Sequence, residues 1–549
     1  MRKKKLAMLP LSLMILSIFA SCSEENKNYK NGINHNESTV GYQLLVYSFN
    51  DSDGDGRGDI KGITQKLDYF TELGVNVLWL SPINKAGSYH GYDVQDYYEV
   101  NKKLGTKEDL KELIDEAHKR DIKILLDMVV NHTSNSHPWF LDACKNENSK
   151  YRDFYTFKDP SVTYGKSNNS SAGWHSRSGK QYYSSFTASM PDLNLSSSAV
   201  KKEVKNIFKY WIDFGVDGFR LDAIKHFFDA AEYASGTDVK KLTQNYFNDL
   251  EKSMNKINPN IFFVGEWLTE SYTSYTISAP YIDSQFSFST RKLLNDNISS
   301  SLSAAKVATK ITTEINELTE LNKEFVYTPI IGNHDHDRIA SIGNFVNNPI
   351  KLSAISRVLL TLPGMPFIYS GDELAMEGCR YENDDIERRL PFLWGEGNEV
   401  NPDTYGRGKY QQSVMDNRTS LIDARKDPLS LFNTYKDVLN VRNNTEAYKG
   451  GKMYVIGNDD NLNIMAFLIK SKKQTILVAH CIRPRQGILE LGDIELVENL
   501  YSSYELNSDG NDYKKDENGK YTYEKDDVYN CDGSTLTLQP FSTVIFEVK

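Results

Sequence analysis

The chain has 549 residues, too many for one ordinary domain. Apolar residues make up 39 % and charged residues 25 %, which predicts packed cores and excludes global disorder. A net charge of −10 argues against nucleic acid or an anionic membrane surface as a partner and is compatible with a neutral substrate.

In chain order, the first feature is "MRKKK" followed by the apolar run "LAMLPLSLMILSIFA". This reads as the basic and hydrophobic regions of a secretory signal. Ala20 and Ser21 before Cys22 resemble a bacterial lipobox, with Phe19 in place of the usual Leu. A signal over 1–22 is therefore expected, with Cys22 lipidated and the protein held on a membrane surface outside the cytoplasm, at the cell surface. The run is short for a spanning helix. Residues 23–40 are polar and read as a flexible tether. Of the remaining cysteines, Cys144, Cys379, Cys481 and Cys531, none forms a CxxC pair, which argues against zinc; Cys481 and Cys531 are left open as a pair.

Short apolar strands then alternate with amphipathic helices. Strands are predicted at 42–49, 75–82, 122–132, 216–223, 260–267, 284–289, 325–335 and 365–373, and helices at 63–74 and 107–121 among others. Eight strands with helices between most of them predict a (β/α)8 barrel over 41–132 and 191–439. An open doubly wound sheet is the alternative, but no Gly-rich phosphate loop follows the first strand. Residues 133–190 are too long for a plain loop and read as a small B subdomain inserted after strand three. From 440 to 549 alternating strands predict an all-β sandwich.

Between the first strand and the first helix lies "FNDSDGDGRGDIKG". Asp51, Asp53, Asp55 and Asp59 offer carboxylates, Arg57 a backbone carbonyl, and Gly56 a sharp turn, as in a calcium loop. The bidentate Glu of an EF-hand is replaced by Gly62, and no helix pair flanks the loop. A rigid calcium staple is the expectation, one structural Ca2+ site.

In a barrel the chemistry belongs at the C-terminal ends of the strands. Strand three ends in Asp127, Asn131 and His132; strand four carries Arg220 and Asp222, then Lys225 and His226; strand five ends at Glu266; strand seven ends in His334 and Asp335. Three carboxylates from three strands suit glycoside hydrolysis. Asp222 reads as the nucleophile, because Arg220 two residues earlier shares its face and favours the ionised form. Glu266 follows "IFFVG" and precedes Trp267, an apolar setting that suits a proton donor. Asp335 is then a third carboxylate that fixes sugar hydroxyls.

These segments, "DMVVNH", "GFRLDAIKH", "FFVGEW" and "IIGNHD", with "MPDLN" at 190–194, resemble the ordered regions of the α-amylase family of glycoside hydrolases over residues 42 to 549. The resemblance implies the barrel, the B domain, a β-sandwich C domain and a retaining double displacement. It implies Asp222 as nucleophile, Glu266 as acid/base and Asp335 as transition-state stabiliser. Arg220, His132 and His334 would bind the reacting sugar, with Tyr92 stacking on it in "SYHGYDVQDYY"; His90, Asp93 and Trp267 join the substrate-binding set, and Lys225 and His226 line the leaving-group side. Similar acidic loops hold a structural metal in the oligo-1,6-glucosidase branch. A second calcium between barrel and B domain is implied at Asn131 and Asp192, with a carbonyl from His226.

"MPDLN" resembles the subfamily intermediate between oligo-1,6-glucosidases (QPDLN) and neopullulanases (MPKLN), which includes surface-anchored starch-degrading amylases. Ala223 after the nucleophile matches α-1,4-specific members. Internal α-1,4 cleavage of starch or maltooligosaccharides by a monomer is the expectation. Asp93 pulls toward an exo-acting α-glucosidase, where such an Asp pins the non-reducing end with an Arg; Arg388 and Arg389 are the candidates. Exo-acting α-glucosidase, oligo-1,6-glucosidase and neopullulanase-type activities stay open. A non-catalytic glucan-binding surface protein is the alternative of another class, but such barrels lack one or more of the three carboxylates.

Overall fold

A computed structural model describes residues 31–34, 37–297, 302–397, 399–405, 410–457, 460–503 and 528–549, with backbone alone for 514–515 and 521–522. The signal segment and Cys22 lie outside the described residues.

The eight expected strands are β1 Gly41–Leu44, β2 Val77–Leu80, β3 Lys123–Met128, β4 Gly218–Leu221, β5 Phe262–Gly265, β6 Ser284–Ser287, β7 Val326–Pro329 and β8 Phe367–Tyr369. They pair in parallel in chain order, and β8 pairs back onto β1. The remaining seam, between β7 and β8, is bridged by Met365 N–H donating to Tyr327 O at 2.8 Å. The strands are shorter than their apolar runs because each C-terminal end turns out of the ladder to deliver side chains to the mouth. After β1, for example, Val46–Phe49 coils into a helical turn rather than continuing the strand expected to 49.

Alternation sets the interior. Val77, Trp79, Leu125, Phe262, Val264, Phe286 and Phe367 form one buried cluster inside the barrel. Glycines make room for the rings: a Cβ on Gly41 would lie 2.4 Å from the Phe367 ring, and one on Gly218 would lie 2.3 Å from Phe262 O. Helices cover the outside. Lys107–His118 starts with a reciprocal capping box between Thr106 and Asp109 and buries Leu110, Leu113, Ile114 and Ala117.

The tether expectation is corrected for its last part. Asn31, Ile33 and Val40 are buried, Ile33 within the barrel cluster. Gly32 N–H donates to Asp217 Oδ1 at 2.9 Å and Ile33 N–H to Asn260 O at 3.1 Å. This polar stretch satisfies its backbone against the N-terminal ends of β4 and β5, which composition cannot reveal.

After β3 the chain leaves the barrel through helix Pro138–Lys145 and the hairpin of Gly173–Arg177 with Lys180–Ser184, then returns at helix Ser198–Phe214. At the other end, helix Leu431–Asn444 still packs on the barrel, so the C-terminal strands begin at Lys452, later than the expected 440. A five-stranded antiparallel sheet and a three-stranded sheet follow. Ile464, Ala466, Leu477, Leu489, Leu536, Leu538, Val544 and Phe546 fill the space between them. The outer face of the larger sheet, Phe467, Ile469, Val478 and Ile545, packs on Ile355, Val358 and Leu359 of helix Pro349–Thr361. The four described cysteines are free.

Candidate active site

Parallel register places Asp127 of β3 beside Arg220 of β4, so both side chains enter the barrel at one level. Arg220 is fully buried and binds three carboxylates. Its Nη1 donates to Asp127 Oδ1 at 2.8 Å and to Asp222 Oδ1 at 2.6 Å. Its Nη2 lies 2.6 Å from Glu266 Oε1. That last contact is Coulombic, since Nη2 has no acceptor in hydrogen-bond alignment. The guanidinium also lies over Trp79, 4.9 Å from the ring centroid.

Backbone geometry completes the grip. Ala223, directly after Asp222, sits in the left-handed region at φ +51°, a conformation costly for a residue with a Cβ. The turn ends β4 sharply and aims Ala223 N–H at Glu266 Oε2, 3.2 Å away.

The carboxyls are neighbours with different proton affinities. Burial pushes Glu266 up to about 8, against the opposing pull of Arg220. Burial thus favours the protonated form of Glu266 at neutral pH. Burial likewise raises Asp127, at the base of the site, to about 7 despite Arg220. Asp335 goes the other way. Desolvation opposes its charge, but the Arg389 and Arg220 guanidinia outweigh it and hold the carboxyl well below the usual range, with His334 Nε2 3.1 Å away. Arg389 Nη2 donates to Asp335 Oδ1 at 2.9 Å, and 40 % of the Asp335 side chain still faces solvent.

The sugar-facing residues form a network above this layer. Gln43 Nε2 donates to His334 Nδ1 at 2.6 Å, which leaves the His334 proton on Nε2. That proton faces Tyr92 Oη at 2.7 Å, and Tyr92 in turn donates to Asp127 Oδ2 at 3.0 Å. Tyr92 and His334 stack with ring planes 4° apart. His132 Nε2 donates to Tyr92 O at 3.1 Å. Burial keeps these imidazoles neutral: it lowers His132, and it takes His334 to about 3, His90 to about 4 and His226 to about 4. Neutral rings donate and accept hydrogen bonds to hydroxyls without competing for the proton that Glu266 holds. On the Glu266 side, Lys225, His226 and Trp267 line a cavity of about 260 Å3 with Phe228, Asn168 and Lys166. The loops thus bring Asp222, Glu266, Asp335, Arg220, Tyr92, His90, His132 and His334 together, with Lys225, His226 and Trp267 on one side.

Two expectations need correction. Asp93 does not meet an arginine: it accepts from Gly87 N at 3.1 Å, from Ser88 N at 2.9 Å and from the Ser88 hydroxyl. Arg388 is taken by Asp337 and Asp385, and Arg389 by Asp335, because the loop after β8 folds toward β7. In the acidic loop, Asp51, Asp53 and Asp59 offer oxygens within 4.8 Å of one another, but Asp55 is outside that group and pairs with Arg57 Nη1 at 3.0 Å. Three hard carboxylate oxygens so close together fit a calcium-type cation. Of the second calcium set, Asn131 and Asp192 come together: their side chains hydrogen-bond, beside an antiparallel bridge of His132 with Asp192. Both Asp192 oxygens accept from Ser185, N–H at 2.9 Å and hydroxyl at 2.5 Å, and the Asn131 amide faces His132 Nδ1 at 3.3 Å.

Gln43 and Trp79 escaped the sequence reading as site residues. A lone glutamine inside the apolar strand "GYQLL" was the one available signal. Arg389 was expected only as a candidate partner of Asp93; its pairing with Asp335 is set by a distant loop.

Comparison with known proteins agrees with this geometry. The α-amylase catalytic-domain family matches residues 43–451. The chain is 35 % identical over 523 residues to α-amylase 3 of Dictyoglomus thermophilum, covering 93 % of each chain. It is 28 % identical over 579 residues to an oligo-1,6-glucosidase of Bacillus cereus, covering 93 % of this chain and 99 % of that one. The crystal structure of an α-amylase from H. orenii superposes with TM-score 0.74 at 30 % identity, covering 93 % of this chain and all of the other. The chain belongs to the α-amylase family, as a glycoside hydrolase acting on α-glucans.

Proposed function

From that membership we propose a retaining hydrolase that cuts internal α-1,4 bonds of starch and maltooligosaccharides through a covalent glycosyl-enzyme. Asp222 attacks the anomeric carbon and becomes esterified. Glu266 gives its proton to the leaving oxygen, then takes one from water as the ester is hydrolysed. Asp335, held anionic by Arg389, binds hydroxyls of the distorting sugar ring. The single observation that carries the reading is that Asp222 and Glu266 share the Arg220 guanidinium, with Glu266 buried so that its protonated form is favoured. One guanidinium spanning both carboxyls favours the short spacing, about 5–5.5 Å, that a retaining pair uses.

The internal mode is supported by Asp93, whose acceptor capacity is spent on the 87–88 backbone and the Ser88 hydroxyl instead of an arginine clamp. Dyed insoluble starch reports internal attack, and a p-nitrophenyl α-glucoside reports attack from the chain end. Strong release from the first and little from the second is expected. The reverse would establish the exo-acting alternative, which the 28 % identity to an oligo-1,6-glucosidase keeps in view.

We also propose a structural Ca2+ at Asp51, Asp53 and Asp59, supported by their convergence. Lipid attachment at Cys22 and a cell-surface location are proposed from the sequence of residues 1–22 alone. A Cys22→Ser variant should move from the membrane fraction to the soluble one; unchanged partition defeats the anchor.

A further inference from the structure

Side chains alternate along β1. Tyr42 points outward, against Tyr69 and Phe70, and donates to Glu373 Oε1 at 2.6 Å. Gln43 therefore points into the barrel, where it is buried below the mouth. Its backbone is fixed by the ladder, with Gln43 O accepting from Ser370 N–H at 2.9 Å. Its amide nitrogen meets His334 Nδ1 at 2.6 Å.

An amide nitrogen can only donate, so Nδ1 accepts, and a neutral imidazole then carries its proton on Nε2. The next links follow from that. His334 Nε2 faces Tyr92 Oη at 2.7 Å and Asp335 Oδ2 at 3.1 Å. Tyr92 gives its own proton to Asp127 Oδ2 at 3.0 Å, so its oxygen is free to accept. The donors run in one direction, from Gln43 through His334 and Tyr92 to Asp127. Packing stops the ring from exchanging its nitrogens by a half-turn. Tyr92 stacks on it with planes 4° apart, and Trp79 meets it at 80° with centroids 5.9 Å apart. The other tautomer would oppose two N–H groups at Gln43. It would also turn the Nε2 lone pair toward the Asp335 carboxylate, which Arg389 holds anionic.

We propose that Gln43 is a positioning residue for the reaction. By donating to Nδ1 it keeps His334 as the Nε2–H tautomer, so that the ring presents a donor to Asp335 and to the sugar hydroxyls. The proposal rests on the hydrolase reading above and adds to it a residue that acts only through His334. Asp335 binds the ring as it distorts, so a misdirected imidazole should cost kcat more than KM.

The test uses full-length protein labelled with heavy-nitrogen histidine. Two-bond proton–nitrogen correlations separate a protonated ring nitrogen from a bare one, and the His334 signals are those missing from a His334→Gln sample. Wild-type His334 should show Nε2 protonated and Nδ1 bare. Gln43→Met keeps the reach of the side chain but cannot donate. It should let the Nδ1–H form appear and lower kcat on soluble starch by about tenfold, the scale of one hydrogen bond, with KM within about twofold. Gln43→Glu matches the amide in shape. As a carboxylate it accepts from Nδ1–H, which inverts the tautomer and should lower kcat at least as far; as a carboxylic acid it donates like the amide, and wild-type tautomer and wild-type kcat should return together. An Nδ1–H tautomer in the wild type overturns the assignment. So does Gln43→Met protein with kcat unchanged, an inverted tautomer with kcat unchanged, or kcat lost while the wild-type tautomer persists, which would be a merely structural effect. Wild-type protein that releases no reducing ends from starch overturns the hydrolase reading, while its His334 tautomer still decides the Gln43 contact.

Discussion

Around Arg220, Asp127, Asp222 and Glu266 crowd one guanidinium deep in the barrel mouth. In the loop after β1, Asp51, Asp53, Asp55 and Asp59 lie at or near the surface, and their oxygens are met by backbone N–H groups instead. Asp51 accepts from Asp53, Gly54 and Gly56, and Asp59 from Ser52 and Gly62. The residue types are nearly the same in both places. In the mouth, burial raises Glu266 and Asp127 against the pull of the shared Arg220, so these carboxyls hold their protons well above the usual range. In the loop, backbone amides meet carboxylates that lie at or near the surface, and three of them gather their oxygens in a set suited to holding a cation. Burial, more than sequence, separates reactive acids from structural ones.

The comparison breaks most visibly at Asp222. Asp222→Asn should lower turnover on soluble starch by about 10⁴-fold or more while starch binding in a pull-down stays close to wild type. Binding lost by the same factor would make Asp222 a structural acid like those of the loop.

Glu266 comes next. Because its carboxyl is raised to about 8, the proton needed by the leaving group is present below that pH and lost above it. The kcat/KM profile should therefore fall on an alkaline limb near pH 8. Glu266→Gln should cost about 10²–10⁴-fold in kcat and flatten that limb. A limb that survives the substitution would assign it to another group.

The loop is tested by calcium. Saturating Ca2+ at about a hundredfold excess over its Kd should stabilise the protein by about 2.7 kcal/mol, read as a higher Tm than in chelator. Asp51→Asn with Asp53→Asn should abolish the difference, and Asp55→Asn should preserve it, because Asp55 stands outside the cluster. Equal effects of all three would redraw the site.

The smallest effect sharpens the comparison from a third environment. Glu314 is buried behind β6 with hydroxyls of Ser287 and Ser289 and no cation. Burial raises it to about 7, against those hydroxyls. The fold then prefers its protonated form, so its contribution is fully present below the unfolded carboxyl range and is lost as pH rises through about 7. Glu314→Gln should gain roughly 2 kcal/mol relative to wild type between pH 5 and pH 8 in denaturant melts, with activity unchanged. No change across that range would mean that the hydroxyls alone keep Glu314 ionised.

Much of the site was legible because strands alternate. Asp127, Arg220, Asp222 and Glu266 stand at even steps along apolar runs, and strand ends in a barrel meet at one mouth. The partners of Asp93 and Arg389 were not legible. Both lie in loops, and whether Asp93 meets an arginine or the 87–88 backbone depends on how the loop after β8 folds toward β7.

Taken alone, the amino-acid order determined the eight strands, their parallel winding and the carboxyls at their ends, since apolar periodicity acts over a few residues and needs no distant partner. Tertiary structure decided which acid keeps its proton, which arginine each aspartate meets, and that residues 31–34 are sewn to the barrel floor. Those outcomes depend on desolvation and charge pairing between groups tens to hundreds of positions apart, such as Arg220 with Asp127 or Gly32 with Asp217, and only the folded register sets those distances.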